Sequence, residues 1–505
     1  MRLLFGEYGR PISILLAVLQ IAGCGDSGRL YEQVRTSREI AYRQWKSRKQ
    51  QREESEVRIT GSLSVDDCLK LALANNKVLQ GVVQEKEIAR GEQLKSYSAI
   101  LPNVGLTGNY RRLDEVSSFS IAGKKITLGD LNNYSAALGV TQPIYAGGSI
   151  AARLHAARLF SLLTDQTVRA AVQELVYACT HSYYDVLISQ HLSRISADAV
   201  RSAKAHLDDV KQKRQGGVAS DFDVLRAEVE LSNFQAELIR NKNAINMANA
   251  TLVKVMGVSQ HSDFVLSDAL VYVRSETTED QAVEAAYQNR PGLFSREFGI
   301  KYQRQLLKIA KSRYLPVISG YFNFTRSRPD PHNQMIIDWG GAWDAGLMLT
   351  LPLFEGFARE GEVVIQKARL RQAQIDLIDA EQTALFEITR ALLAIQNAEE
   401  FVDSQKLNLT RAEEGLRLAE VGYREGANTQ VEMIDAQAAL TTARANYYQA
   451  IYSHSVAKLD LQKAMGTIAA FEHAWSDSHL PGDGAASPQE TSLAASAEQN
   501  QEPTE

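Results

Sequence analysis

Leu138-Gly139-Val140-Thr141-Gln142-Pro143-Ile144-Tyr145-Ala146-Gly147-Gly148 runs an apolar/polar alternation into a proline, a short apolar pair and two glycines. A long charged helical pattern follows at once. Leu347-Met348-Leu349-Thr350-Leu351-Pro352-Leu353-Phe354-Glu355-Gly356-Phe357 repeats the arrangement. Alternation with period two reads as a strand and spacing of three and four as a helix, so each stretch is a strand that must become a helix. Proline suits that junction: it has no N–H for the ladder, and its fixed backbone angle can lead into a helix. Pro143 and Pro352 stand 209 residues apart.

The repeat reaches far beyond the junctions. Gly217/Gly426, Leu225/Ile434, Ala227/Ala436, Leu231/Leu440, Leu252/Leu461, Lys254/Lys463, Met256/Met465 and Gly257/Gly466 keep the 209 spacing without a gap. Ahead of the junctions, Asn75/Asn289, Leu101/Leu315 and Pro102/Pro316 stand 214 apart. The difference therefore falls inside the strand pair, where loop tips tolerate insertion. The duplicated unit is a helix, a β-hairpin, a long helix and a return helix.

In the first copy Ser64 to Asp67 resembles a capping box, and a helix runs from there to about Ser98. Strands follow at about 102–111 and 133–143, joined by a long polar connection. The long helix then runs to Gln215, about 100 Å at 1.5 Å per residue, and Gly216-Gly217 ends it. Ser220 or Asp221 caps the return helix to Met256. Residues 257–277 suggest short strands at Phe264–Leu266 and Leu270–Val273. The second copy has a helix at about 278–314, strands at about 316–326 and 342–352, and a long helix over 356–424. A turn at Gly426 and a last helix to Met465 complete it. These readings divide the chain into 1–23, a signal segment; 24–62, a tether; 63–262, the first repeat; 263–277, a linker; 278–467, the second repeat; and 468–505, an acidic tail that reads as disordered.

The chain has 505 residues, 45% hydrophobic and 23% charged, with a formal net charge of -5. That balance gives no nucleic-acid footprint. Three cysteines cannot form a disulfide framework, and Cys68 and Cys179 in helical patterns read as buried thiols. Arg2 and Arg10 flank an apolar run too short to span a bilayer, which reads as a signal peptide. Its end, Ile21-Ala22-Gly23-Cys24, resembles a bacterial lipoprotein signal and implies acylation of Cys24. Residues 28–60 are locally basic and read as a solvated helix or tether whose charge suits anionic lipid.

No enzyme motif is present: there is no HExxH, no G-x-S-x-G and no phosphate-binding GK[ST] loop. The nine histidines are scattered. No metal site and no cofactor are expected beyond acyl chains on Cys24. What needs explaining is architectural. Four amphipathic strands are too few to close a membrane barrel, and open edges are not tolerated in hydrocarbon. Their outward faces (Leu106, Leu138, Phe322, Leu349) suit lipid. Three copies would supply twelve strands, and helices of about 100 Å equally need partners along their length.

Residues 63–467 resemble the TolC-like outer membrane efflux protein family. The likeness rests on both Pro-containing junctions. It also rests on Gln215-Gly216-Gly217-Val218-Ala219-Ser220-Asp221-Phe222-Asp223-Val224-Leu225-Arg226-Ala227 and on Gly422 through Ala436. The resemblance implies a mainly helical homotrimer with a twelve-strand barrel in the outer membrane and a twelve-helix periplasmic tunnel. It implies an exit duct of a tripartite efflux system that takes drugs or metals from an inner-membrane pump through a periplasmic adaptor. The alternatives are a type I protein secretion duct or a periplasmic adaptor lipoprotein. Gly217, Val218, Gly426 and Ala427 would be the tips where the adaptor docks. Family gate positions fall on Asp223, Tyr423, Asn428, Glu432 and Asp435, the carboxylates forming acidic rings by symmetry. Asn428 stands where a well-studied relative has an arginine, so a salt-bridged latch lacks its cation there.

Overall fold

A computed structural model describes residues 26–47, 59–121 and 123–468. Cys24 and nearly all of the 468–505 tail lie outside the described residues. The basic segment forms helix α1 (Asp26–Ser47), exposed throughout residues 28–47. Strand β1 (Thr60–Leu63) pairs in parallel with β6 (Asp263–Leu266), which ties the linker to the start of the first repeat. The expected strand at Leu270–Val273 does not form. That stretch is irregular; Leu270 is buried, and the Val273 carbonyl accepts from Lys458 at 3.3 Å.

Each leading helix, expected as one piece, is two. In the first copy α2 (Val65–Asn75) breaks at Asn76 before α3 (Lys77–Ser96). Asn76 causes the break by capping: its side chain accepts the Leu79 N–H at 3.0 Å and donates to the Val255 carbonyl at 2.9 Å. In the second copy α6 (Glu279–Asn289) breaks at Arg290 before α7 (Pro291–Ser312), because proline pushes its predecessor out of the helical region. The return helices end against these breaks. Gly257 and Gly466, both left-handed at φ 71, come so close that a Cβ would lie 2.7 Å from Asn75 and Arg290 backbone atoms respectively.

The membrane sheet has the order β2 (Asn103–Arg112), β5 (Asn132–Ala146), β7 (Val317–Arg328), β8 (Gly340–Thr350), antiparallel throughout. Register puts Leu106, Leu138, Phe324 and Trp343 in one cross-strand row and Val104, Val140, Phe322 and Ala345 in the next. The other face carries Gly105, Gly139, Asn323 and Asp344, and Asn323 donates to Asp344 at 3.2 Å. In these central rows one face is apolar and the other small and polar, with Arg326 and Arg328 following on the apolar side toward the end of β7, a pattern that suits membrane strands around a wet lumen. The connection read as a polar loop holds a further hairpin, β3 (Ser117–Ile121) with β4 (Lys124–Leu128).

The two junctions differ. Pro352 stands just beyond β8, where the ladder stops. Pro143 does not end its strand: pairing continues to Ala146 across a bulge between Pro143 and Tyr145. The chain then turns at Gly147 and Gly148, both with positive φ, and a Cβ on Gly147 would lie 2.6 Å from the Ser312 carbonyl. The turn therefore sits on the end of α7. At the second junction the repeat partner of Gly148 is Phe357, left-handed at φ 65. There buried Arg359 fastens the turn, donating to the carbonyls of Pro352 (2.8 Å) and Leu353 (2.9 Å).

The helices α4 (Ser149–Gln215) and α8 (Ala358–Arg424) have 67 residues each; α5 (Asp221–Met256) and α9 (Gln430–Met465) have 36 each. Contacts place them in one wall, α3-α4-α7-α8 near the sheet and α5-α4-α9-α8 away from it. The core lies on the middle of α4, where Val172, Val176, Cys179, Tyr183 and Val186 meet Cys68, Leu69, Leu252 and Met256. Each large apolar side chain buried there contributes about 1.5–3 kcal/mol. Both thiols are fully buried, as read from the sequence, and burial pushes the Cys68 thiol up to about 12.

Candidate functional site at the helical tips

The far ends of the long helices are built alike. Gly217 (φ 72) and Gly426 (φ 77) turn the chain left-handed, and open space surrounds both, so only the backbone angle asks for glycine. Val218 N–H bonds the Lys213 carbonyl at 2.9 Å, and Ala427 N–H bonds that of Gly422 at 2.7 Å. Val218, 81% exposed, and Phe222, 68% exposed, place apolar surface on the first tip. Ala427 is exposed on the second.

Two expected gate carboxylates are engaged locally. Asp223 Oδ2 accepts from Ser220 N–H (2.9 Å) and Oγ–H (2.7 Å), and these bonds hold its carboxyl below the usual range. Glu432 Oε2 accepts from Thr429 N–H at 2.8 Å. Both are the third residue of a capping box. Asp435 is exposed, with no hydrogen bond or ion pair among the described residues. Its repeat partner at the 209 offset is Arg226, so the two copies place an acid and a base at equivalent positions.

Tyr423 is clamped by α4. His206 packs its ring edge-on at 5.5 Å, and Lys213 Nζ stands 3.9 Å above the ring centre while pairing with Asp209 at 3.0 Å. Burial lowers the His206 pKa, its Nε2 has no hydrogen-bond partner among the described residues, and a cavity of about 20 Å³ beside it has room for one water. Asn428 folds back over Gly422, where a Cβ would come within 2.6 Å of its side chain. Buried Gln430 donates to the Asp223 carbonyl at 3.0 Å and so joins the two tips. Sequence reading missed Gln430, His206 and Lys213, because their roles depend on the stagger of α4 against its neighbours, which no local pattern encodes.

An open four-stranded sheet with one apolar face, continuous with helices of about 100 Å, defines a membrane duct subunit. The chain belongs to the outer membrane efflux protein family, whose model matches residues 68–258 and 282–467. It is 24% identical over 414 residues to outer membrane protein TolC of Vibrio cholerae (79% of this chain, 89% of that one). It is 22% identical over 412 residues to the toluene efflux pump outer membrane protein TtgC of Pseudomonas putida (80% and 83%). It is 20% identical over 413 residues to the proteases secretion protein PrtF of Dickeya chrysanthemi (80% and 88%). Among solved structures, the open state of the MtrE outer membrane channel of Neisseria gonorrhoeae has a TM-score of 0.68 at 17% identity, covering 80% of this chain and 88% of that one.

Proposed function

We propose that three copies close a twelve-strand barrel and a twelve-helix tunnel, forming the passive exit of a tripartite pump for small molecules. The carrying observation is the four-stranded sheet whose edges β2 and β8 are unpaired among the described residues and whose one face is apolar across its central rows. Acyl chains on Cys24 add an anchor. The tips at Gly217-Val218 and Gly426-Ala427 receive a periplasmic adaptor, for which exposed Val218 and Phe222 supply apolar contact. An inner-membrane pump, proton-driven or ATP-driven, delivers the cargo. The constriction is set by Tyr423, Asn428 and Asp435, with Asp223 fixing the start of α5 and Glu432 the start of α9, the helix that carries Asp435. Likeness to PrtF favours a second reading, a protein secretion duct. Crosslinking from residues 217 and 426 in cells decides between them: capture of an adaptor with a proton-driven pump supports small-molecule export. Capture of an ATP-driven exporter's adaptor supports secretion, and capture of neither removes the docking assignment.

A further inference from the structure

Helix α1 carries an apolar stripe that nothing among the described residues covers. Leu30, Tyr31, Val34, Ala41, Tyr42 and Trp45 recur at spacings of three, four and seven, and every residue from 28 to 47 is exposed. Arg35 pairs with Glu32 (3.8 Å) and Glu39 (3.7 Å). Arg29, Arg38, Arg43 and Lys46 have no acid within ion-pair distance among the described residues. We infer that α1 lies in the periplasmic surface of the outer membrane, its stripe in the headgroup layer and Arg38 and Lys46 on anionic phospholipid.

Three observations favour lipid over a protein groove. Tyr31, Tyr42 and Trp45 are amphipathic rings suited to a water–lipid boundary, and the Tyr42 and Trp45 rings stack at 6.1 Å. Arg38 falls within the stripe itself; beside a protein it would need a buried acid, whereas at a bilayer its stem lies among the acyl chains and its head reaches the phosphates. Charge complementarity comes from Arg38 within the stripe and Lys46 at its margin, which meet a leaflet that holds anionic lipid, while Arg29 and Arg43 stand on the opposite, solvated face. Chain reach agrees. Leu63, at the end of β1, meets Tyr183 of α4, which lies about 50 Å along the helix from its sheet end at Ser149. The twelve steps from Ser47 to Ile59 span about 40 Å when extended, so α1 is able to approach the bilayer rather than being held at mid-tunnel.

The test uses the full chain as its assembled channel in vesicles, with Trp45→Cys carrying an environment-sensitive fluorophore in a Cys24→Ser background. Acyl chains then cannot deliver the helix, and buried Cys68 and Cys179 do not compete for label. In vesicles of roughly one-third phosphatidylglycerol, spin-labelled headgroup lipid should quench the probe, at least about twofold more than in pure phosphatidylcholine. High salt, or Arg38→Glu with Lys46→Glu, should remove that difference. Equal quenching in both lipids, or quenching only by aqueous iodide, overturns the inference. So does shielding from both quenchers, which would place the stripe on protein. Because the background lacks Cys24, failure here leaves the acylation proposal to be judged by mass spectrometry of the mature N-terminus.

Discussion

Glu432 and Gln281 hold the same place in their helices, third in a capping box, and one is an acid while the other is an amide. The amide caps as well as the acid in this fold, since Gln281 Oε1 accepts the Thr278 N–H at 3.2 Å. Glu432→Gln therefore removes charge and keeps the cap, whereas Glu432→Ala removes both and should cost about 1 kcal/mol of local helix stability. With Asp435→Asn added, the double variant should raise leak conductance or lower cation preference in planar bilayers without loss of assembled channel. Unchanged conductance would mean that the constriction is steric, set by Tyr423 and Asn428. Of the two caps, sequence reading places the first at Ser220 or Asp221, and the structure resolves it to Ser220 with Asp223; the clamp on Tyr423 was not legible, because it depends on helix stagger. Phe357 is a second residue whose neighbours were readable and whose backbone was not. A non-glycine residue at φ 65 costs about 1–2 kcal/mol, where the first copy uses Gly148. Phe357→Gly should raise the temperature at which the assembled channel dissociates in detergent, set against loss of the Phe354 ring contact at 5.6 Å. A fall would show that the exposed aromatic pair stabilises more than the strain costs.

At the scale of elements, α4 and α9 are joined by a polar ladder within the tunnel wall. Tyr452 O–H donates to Asp185 at 2.6 Å, His181 Nδ1 stands 3.1 Å from the same carboxylate, and Tyr177 O–H donates to Asp460 at 2.8 Å. The Asp185 hydrogen bond raises the His181 pKa. Burial pushes the Asp185 carboxyl up, but hydrogen bonds from His181 and Tyr452 outweigh it and hold it low. A raised histidine contributes fully below its unfolded value of about 6.5 and loses that contribution as pH climbs through its folded value. A depressed carboxylate contributes above about 3.9 and loses that contribution as pH falls through its folded value. The ladder is therefore strongest between these limits. Asp185→Asn should lower the dissociation temperature more at pH 6 than at pH 8.5, and an equal loss at both would assign the effect to the Tyr452 bond alone. Strand faces were legible because alternation reports them directly. The bulge after Pro143 and the Asn76 break were not, because they answer to distant partners, β7 and the Val255 carbonyl, whereas the Arg290 break has a local cause in Pro291 that the helical periodicity of 278–314 masked.

For the whole molecule, the duplication predicts its own missing contacts. In each protomer α9 packs on α4, and residues there are paired: Ile434 is 8% exposed and Tyr177 is bonded to Asp460. Their partners at the 209 offset are Leu225 on α5, 58% exposed, and Phe386 on α8, 64% exposed. Sequence pattern matched these residues; only the structure separates them into satisfied and unsatisfied copies, since that difference depends on which helices stand at the protomer edge. If α5 meets α8 of the next copy as α9 meets α4 within one chain, both are covered, and each protomer adds four helices to a closed ring. Leu225→Glu and Phe386→Glu should each place an unpaired charge in that seam, at a cost of several kcal/mol per contact. The expected result is monomer in detergent with helical circular dichroism retained, because neither side chain touches the core of its own chain. Assembled channels from both variants would show that copies associate through some other pair of edges, and the tunnel would need a different closure.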